Sequence, residues 1–524
     1  MGNILDFDSA SLNKMLSSKG ISSTWLALLA ALIGDKSNSS YILKAPEFNG
    51  VQAASQNLLA GLSIGDIGVL YEYSVAYLDP ASRKKNGQYF TPDDVAVLMA
   101  TEAKKFPKGV WLDPCSGIGN LSWHLVNLQS DPEAFLRKYI VLSDRDALAL
   151  LIARVLFTIS FERDSKNLFY DIQEKFVVFD FLSVSDTQTL GPNESGLAQI
   201  PAHDFVIVNP PYLAIEQDSR FETGRAGDLY AYFLENIIKT SRGFVSVTPQ
   251  SFTNAEKFRP LRNLLIRSFP NITIYVFDNV PANLFRGIKF GSKNTNTANS
   301  VRAAITIAKS GKAEHRISSL LRWRSDQRQQ LFSSLDLFLA TIRLTEDYFP
   351  KVNPVFLKLY LESTGSQHQT LGALCASRPT EFELHVPTSP RYFISALKQP
   401  VDRSSQRTLY FRTKKDMDMA YLLINSSYMY WWWRVRDGGM TLSQETLFSL
   451  PLPSFANSAA LVKKLEESEK VNKVYKQNAG APRENVKHPQ ELVFQVTNLV
   501  KPAWAKSLLL THENSEFVQL APAN

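Results

Sequence analysis

Phe205-Val206-Ile207-Val208-Asn209-Pro210-Pro211-Tyr212 decides the reading of this chain. Four apolar, β-rich residues and one asparagine lead into two consecutive prolines. Proline fixes φ and donates no backbone hydrogen bond, so two in a row stop both a strand and a helix. An apolar run without polar alternation reads as a strand covered on both faces. The prolines then make a stiff turn at its carboxyl end, projecting Asn209 and the Pro210 carbonyl from the sheet edge. Two neutral acceptors side by side can hold both hydrogens of a planar NH2 group. They draw the nitrogen lone pair out of conjugation and make it a nucleophile. Tyr212 can stack on the ring that bears the amine. A plain turn would require neither Asn nor Tyr at its ends.

The flanking sequence repeats the pattern. Short β-rich runs occur at Gly109–Asp113, Tyr139–Ser143, Phe176–Phe179, Gly243–Val247, Ile272–Phe277 and Ala303–Ala308. Helical stretches lie between them, at Leu121–Leu128, Ala147–Ile159 and Leu229–Lys239. Strands alternating with helices predict an α/β fold with a mostly parallel sheet. Ligands in such sheets bind beyond the carboxyl ends of the strands, so the residues just past each strand matter most.

The first strand ends in Asp113-Pro114-Cys115-Ser116-Gly117-Ile118-Gly119. A glycine turn here lets a ligand approach the backbone closely, although such turns also serve plain packing. It is not a phosphate loop, because no Gly-Lys-Ser/Thr comes after it. The second strand ends in Ser143-Asp144-Arg145-Asp146. Asp144 is placed to hold ribose hydroxyls, and Asp146 to cap the helix starting at Ala147. The third ends in Asp180-Phe181, an acceptor and an apolar face that suit an adenine ring.

The whole chain has 524 residues. At ~100–200 residues per domain, that is two to four domains. With 44% hydrophobic and 20% charged residues it can bury a large core. Only Cys115 and Cys375 are present, which excludes a disulfide framework and a Cys-rich zinc site. The apolar run Trp25–Gly34 is about half the ~20 residues of a membrane span, and no signal-peptide pattern surrounds it. A cytoplasmic protein without a membrane partner is expected, with no metal site. The net charge of +7 is unevenly spread. Residues 1–250 carry 21 Lys and Arg against 28 Asp and Glu, and residues 251–524 carry 36 against 22. An acidic first part joined to a basic second part points to two tasks, the second with an anionic partner.

The motifs in this order resemble the gamma-class N6-adenine DNA methyltransferases of restriction–modification systems. Asn209–Tyr212 and the Asp113–Gly119 turn carry the likeness. So does Gly87-Gln88-Tyr89-Phe90-Thr91-Pro92 ahead of the sheet, which is similar to type I modification subunits. The lead-in Gly65-Asp66…Tyr71-Glu72-Tyr73 and the later Asp228-Leu229-Tyr230 also fit. The resemblance covers about residues 60–310. It implies a Rossmann-like methyltransferase sheet with S-adenosylmethionine as cofactor. A helical domain (1–80) would precede the catalytic domain (81–320). A mixed α+β target-recognition domain (321–455) and a helical extension (456–524) would come after it. Gln88, Tyr89, Phe90, Thr91 and Pro92 would wrap the methionine end, and Asp113, Gly117 and Gly119 would line it. Asp144 would hold the ribose, and Asp180 with Phe181 the adenine. Asn209, Pro210 and Pro211 with Tyr212 would form the catalytic turn. Phe285, with Phe290 as runner-up, would complete the stack on the target base begun by Tyr212.

The resemblance further implies double-stranded DNA as substrate and a cognate restriction endonuclease as functional partner. Alternatives are a type I modification subunit needing a specificity subunit, an N4-cytosine target, and a protein glutamine methyltransferase. Arg259, Arg262, Arg267, Arg286, Lys289 and Lys293 are candidates for phosphate contacts. Arg434 and Arg436 are expected to touch DNA, and Trp431–Trp433 to lie in a core. A charged helix is expected over Ala459–Lys476.

Overall fold

The computed structural model describes residues 7–79, 90–163, 167–183, 200–285, 289–290, 293–294, 301–365, 369–403, 405–439, 441–478 and 481–520. The chain divides into two compact units. The first comprises Met1–Phe252, Glu256–Ile274 and Asn283–His315. The second comprises Thr253–Ala255, Tyr275–Ala282 and Arg316–Asn524. The segment before residue 80 thus groups with the sheet, and residues 316–524 group together.

The sheet of the first unit is built from β1 (Trp111–Asp113), β2 (Ile140–Asp144), β3 (Phe176–Val178), β4 (Phe205–Val208), β5 (Gly243–Pro249), the first half of β6 (Asn271–Phe277) and β7 (Ala303–Lys309). Their order is β3-β2-β1-β4-β5-β7-β6. The pairs β1–β2, β1–β4, β2–β3 and β4–β5 are parallel, while β7 runs antiparallel to β5. Each strand lies where its apolar run predicts, within a few residues. Phe205–Val208 is buried along its whole length, as two-sided coverage requires.

Helix α1 (Ser9–Gly34) is capped by Asp8, which accepts from Ala10 N and Ser11 N. It runs as two helical segments joined across a break at Gly20, whose φ is +72°. By length and composition α1 could cross a membrane, and 56% of its apolar window is buried within the chain. Helix α2 (Ile64–Leu78) opens with a Ser63–Asp66 capping box. Its glycines let neighbours close in. A Cβ on Gly65 would lie 2.2 Å from Asp93 Oδ1, and one on Gly68 would lie 2.7 Å from the Phe90 ring. Helices α3 (Asp93–Ala103), α4 (Asn120–Asn127), α5 (Ala147–Phe161), α6 (Leu229–Thr240) and α7 (Arg259–Ser268) are the longer of the remaining helices described in this unit.

In the second unit, the part of β8 (Glu314–Leu321) from Arg316 onward pairs antiparallel with β9 (Leu339–Thr341). Strands β10 (Glu383–Pro387) and β11 (Gln406–Tyr410) form a second antiparallel pair. Helices α8 (Lys414–Ile424) and α9 (Ser427–Arg436) come one after the other. Trp431, Trp432 and Trp433 on α9 are buried, as the core reading expects. Arg434 corrects the sequence reading. It is buried, donating to Asp278 Oδ2 at 3.1 Å and to the Leu320 carbonyl at 2.7 Å. Arg322 reaches the same Asp278 oxygen at 3.4 Å. Arg436 pairs with Glu445 at 3.1 Å and lies over the Tyr348 ring at 3.9 Å. The charged helix α10 (Ala459–Val471) is shorter than expected. From Lys473 the chain turns into β12 (Lys473–Asn478), paired antiparallel with β13 (Ala481–Val486). The β-branched and aromatic Val474 and Tyr475 favour that strand over a continued helix.

Candidate active site

A cavity of about 440 Å³ opens at the carboxyl ends of β1 to β4, within the first unit. That volume is typical of a small-molecule site. Among the expected residues, Phe90, Thr91, Asp113, Gly117, Asp144, Asp180, Phe181, Asn209 and Pro211 line it. Pro92, Gly119, Pro210, Tyr212 and Phe285 do not. Gln88 and Tyr89 lie outside the described residues, as do Arg286 and the side chains of Lys289, Phe290 and Lys293.

The two glycines of the first turn differ. Gly117 has φ +53°, and a Cβ added there would meet nothing within 4 Å, so the turn stays open at that point. Gly119 has φ +86°, and a Cβ there would lie 2.8 Å from the Phe157 ring and 2.9 Å from Leu142. It serves close packing of α4 on the sheet, just behind the cavity wall.

Asp113 is buried, and its Oδ2 accepts from Ser122 Oγ at 3.0 Å. Burial pushes its carboxyl up to about 7, with Asp144 adding to the effect and the Ser122 bond opposing it. Asp144 braces the turn. Gly117 N donates to its Oδ2 at 2.8 Å, and Asp146 N to its Oδ1 at 3.0 Å. Burial raises this carboxyl too, against those backbone donors. Asp146 caps α5 as expected, accepting from Leu148 N and Ala149 N. It also accepts from Tyr71 Oη at 2.5 Å, which ties α2 to the site. Asp180 is exposed at the cavity edge, and Phe181 stacks on Phe233 with ring centroids 5.3 Å apart.

The Asn209–Tyr212 turn is fastened from two sides. Asn209 Nδ2 donates to Thr91 Oγ1 at 2.9 Å, and the Cys115 thiol donates to the Asn209 carbonyl at 3.3 Å. Asn120 Nδ2 in turn donates to the Thr91 carbonyl at 2.7 Å. Tyr212 sits behind the turn, its hydroxyl on the Val247 carbonyl at 3.0 Å. Its ring meets Phe285 edge-on, with centroids 6.1 Å apart and planes at 67°. The two rings are thus together as expected, buried and not parallel.

Sequence reading missed several cavity residues. Gly68, Tyr71, Glu72 and Val75 form one stripe of α2, at the three- and four-residue spacing of a helix face. That spacing was the available signal. Ile215, Asp218, Arg220 and Phe221 belong to the loop after Tyr212, where no periodicity could have marked them. Of the proposed phosphate contacts, Arg262 is buried and donates to the Phe252 carbonyl at 2.8 Å. Arg267 is half exposed and pairs with Glu222 at 2.7 Å.

S-adenosylmethionine fits this donor set. Asp113 Oδ1 and Asn120 Oδ1 are buried on the cavity wall without a hydrogen-bond partner among the described residues. Buried acceptors of this kind call for a donor from a ligand. The Gly117 turn is open, and aromatic rings surround the Asp180 end. No cluster of metal-ligating side chains occurs among the described residues.

The sheet order, the antiparallel β7 and a cavity over β1 to β4 define a Rossmann-like methyltransferase fold. Residues 139–283 match the model of the Eco57I restriction-modification methylase family, a stretch running from β2 through the Asn209–Tyr212 turn. Over 211 residues the chain is 26% identical to the type II methyltransferase M.PstI of Providencia stuartii. The match takes in 38% of this chain and 40% of that relative's length. The motif-based likeness to restriction–modification methyltransferases is therefore met by independent comparison. Among solved structures, a DrdV–DNA complex aligns with 73% of this chain and 45% of its own, at 16% identity and a TM-score of 0.44. The methyltransferase subunit of a type I restriction–modification system from Streptococcus thermophilus aligns with 64% and 76%, at 18% identity and a TM-score of 0.36.

Proposed function

We propose that the chain is a site-specific DNA methyltransferase. It moves a methyl group from S-adenosylmethionine to N6 of an adenine flipped out of double-stranded DNA, and so protects DNA from a cognate restriction endonuclease. One observation carries this reading. Asn209, on a turn made stiff by two prolines, shares a wall with Asp113 and Asp144 and is fastened to Thr91. The match to a restriction–modification methylase family supports it.

When bound, the cofactor supplies an electrophilic methyl group. Asp113 and Thr91 hold its methionine end, Gly117 lets it approach the backbone, Asp144 holds the ribose, and Asp180 with Phe181 takes the adenine. With Nδ2 committed to Thr91, Oδ1 is the end of the Asn209 amide that accepts from a substrate amine. The Pro210 carbonyl accepts the second hydrogen. An amine inside duplex DNA cannot reach this depth, so the nucleotide must leave the stack. That costs a few kcal/mol, and stacking on Tyr212, uncovered as the base enters, at ~1–3 kcal/mol returns much of it. The chemistry is chiefly positioning of the amine and stabilisation of charge growing on nitrogen. The amine proton leaves after transfer, so no dedicated base is required.

Residues 321–455 read the DNA sequence through base edges, and exposed arginines such as Arg259 and Arg267 meet phosphates. The protein works in the cytoplasm. Methylation-sensitive sequencing of DNA from cells expressing the chain tests this reading. N6-methyladenine at one short sequence is expected. Its absence unless a second subunit is supplied would favour a type I modification subunit.

A further inference from the structure

Between Tyr212 and α6 the chain leaves the sheet and returns to it. Leu229 N donates to the Leu213 carbonyl at 3.0 Å, and Ile215 N to the Gly227 carbonyl at 3.1 Å. A surface loop whose ends meet and which packs on its own side chains holds one shape. Asp218, Arg220 and Phe221 of this loop form part of the cavity wall.

Two side chains of α6 set that shape. Glu235 is 1% exposed. Its Oε1 accepts from Glu222 N at 2.9 Å, and its Oε2 accepts from Thr223 N at 2.7 Å and Thr223 Oγ1 at 2.8 Å. Lys239 Nζ lies 2.5 Å from Oε1. Burial raises this carboxyl, but Lys239 and the loop donors outweigh it and hold it below its ordinary range, so it stays ionised. Tyr232, one turn earlier, accepts from Asp218 N at 3.2 Å and donates to the Gly224 carbonyl at 2.9 Å. Its ring stacks flat on Phe221, with centroids 4.5 Å apart and planes at 3°. A Cβ on Gly224 would lie 2.0 Å from the Asp218 carbonyl oxygen, so glycine is required where the loop folds on itself.

A carboxylate taken out of water is costly unless it is well paired. Helix α6 does not need one facing inward, since its apolar residues already bury it. The cost makes sense if the loop's position matters. We infer that Glu235 is a positioning residue for the methyl-donor cavity: it clamps the loop after the catalytic turn so that Asp218, Arg220 and Phe221 stand as a preformed wall over the cofactor. The inference rests on the methyltransferase reading.

Binding of S-adenosylhomocysteine to the full chain, measured by calorimetry, tests it, together with cofactor KM and kcat. Glu235→Gln keeps the shape but turns an NH2 group toward backbone donors. It should weaken binding about tenfold, the effect of losing one charge-assisted hydrogen bond to the loop. Cofactor KM should rise in step while kcat at saturation stays near wild type. Thr223→Val should act in the same direction and Thr223→Ser should restore wild-type binding. This second pair decides the matter if Glu235→Gln does not fold. Unchanged KM and affinity in a folded Glu235→Gln or Thr223→Val variant, with only the melting temperature lowered, overturns the inference alone. No binding by the wild-type chain overturns it together with the functional reading.

Discussion

Thr91 and Asn209, far apart in sequence, are joined by a hydrogen bond of 2.9 Å from the Asn209 amide to the Thr91 hydroxyl. The segment expected to wrap the methyl donor thereby also orients the group expected to hold the target amine. The two variants should separate these tasks. Asn209→Ala removes an acceptor used as charge develops, and should lower single-turnover methylation by about 10²–10³-fold. Binding of S-adenosylhomocysteine should be little changed. Thr91→Val removes the tether, worth about 0.5–1.5 kcal/mol, together with a hydroxyl proposed to hold the methionine end, so it should slow transfer by about tenfold and weaken S-adenosylhomocysteine binding as well. Joint loss of binding and transfer in Asn209→Ala would mean that Asn209 holds the cofactor instead.

Asp113 gives the site a pH dependence. Its folded carboxyl is pushed up to about 7, from an unfolded value of 3.8. Between those values the folded state holds a proton that the unfolded state has released. Asp113 therefore lowers stability as pH rises from 3.8 through about 7. The α-ammonium group of the methionine end favours the ionised form, so S-adenosylhomocysteine should bind more tightly as pH rises through about 7. Calorimetry in buffers of different ionisation enthalpy should show proton release near neutrality. Asp113→Asn should abolish that release.

The two glycines of the first turn should fail differently. Gly119→Ala forces a side chain into Phe157 and Leu142 at positive φ. Overpacking of about 1–3 kcal/mol adds there to backbone strain of similar size. Gly117→Ala meets strain alone, about 1–2 kcal/mol, because its Cβ would point into open space. Thermal melting should rank Gly119→Ala well below Gly117→Ala, while Gly117→Ala should weaken cofactor binding.

Much of the first unit is legible in the sequence, because its strands are largely apolar runs and the ends of β1 to β4 each carry a motif. Phe205–Val208 is observed with the bounds expected, and Asp146 caps α5 as placed. Side-chain direction is not legible in the same way. Gly119 and Gly117 are two residues apart, and only the fold shows that one faces Phe157 and the other the cavity. The loop from Ile215 to Phe221 is missed because its order comes from Tyr232 and Glu235, which read from sequence as ordinary positions of an amphipathic helix. Arg434 is misread for a related reason. A basic residue at a helix end looks solvent-facing, and its partners Asp278 and Glu516 lie far away in sequence.

Arg434 yields a prediction of its own. It donates to Asp278 and lies 3.7 Å from Glu516, both buried. Removing one member of a buried charge cluster leaves its partners unpaired, at about 3–5 kcal/mol. Arg434→Ala should lower the denaturation midpoint of the chain strongly. A surface change such as Arg267→Ala should leave the midpoint nearly unchanged. A midpoint unaffected by Arg434→Ala, with DNA binding weakened, would return Arg434 to the DNA-facing surface.

Asn209 and the cavity beside it are proposed to methylate adenine in DNA. The most direct test incubates the purified chain with S-adenosylmethionine labelled on its methyl group and mixed-sequence duplex DNA, then digests the DNA to nucleosides. Label in N6-methyldeoxyadenosine is expected from the wild-type chain, at about 10²–10³ times the rate of Asn209→Ala. Label in N4-methyldeoxycytidine, or on protein alone, would contradict it.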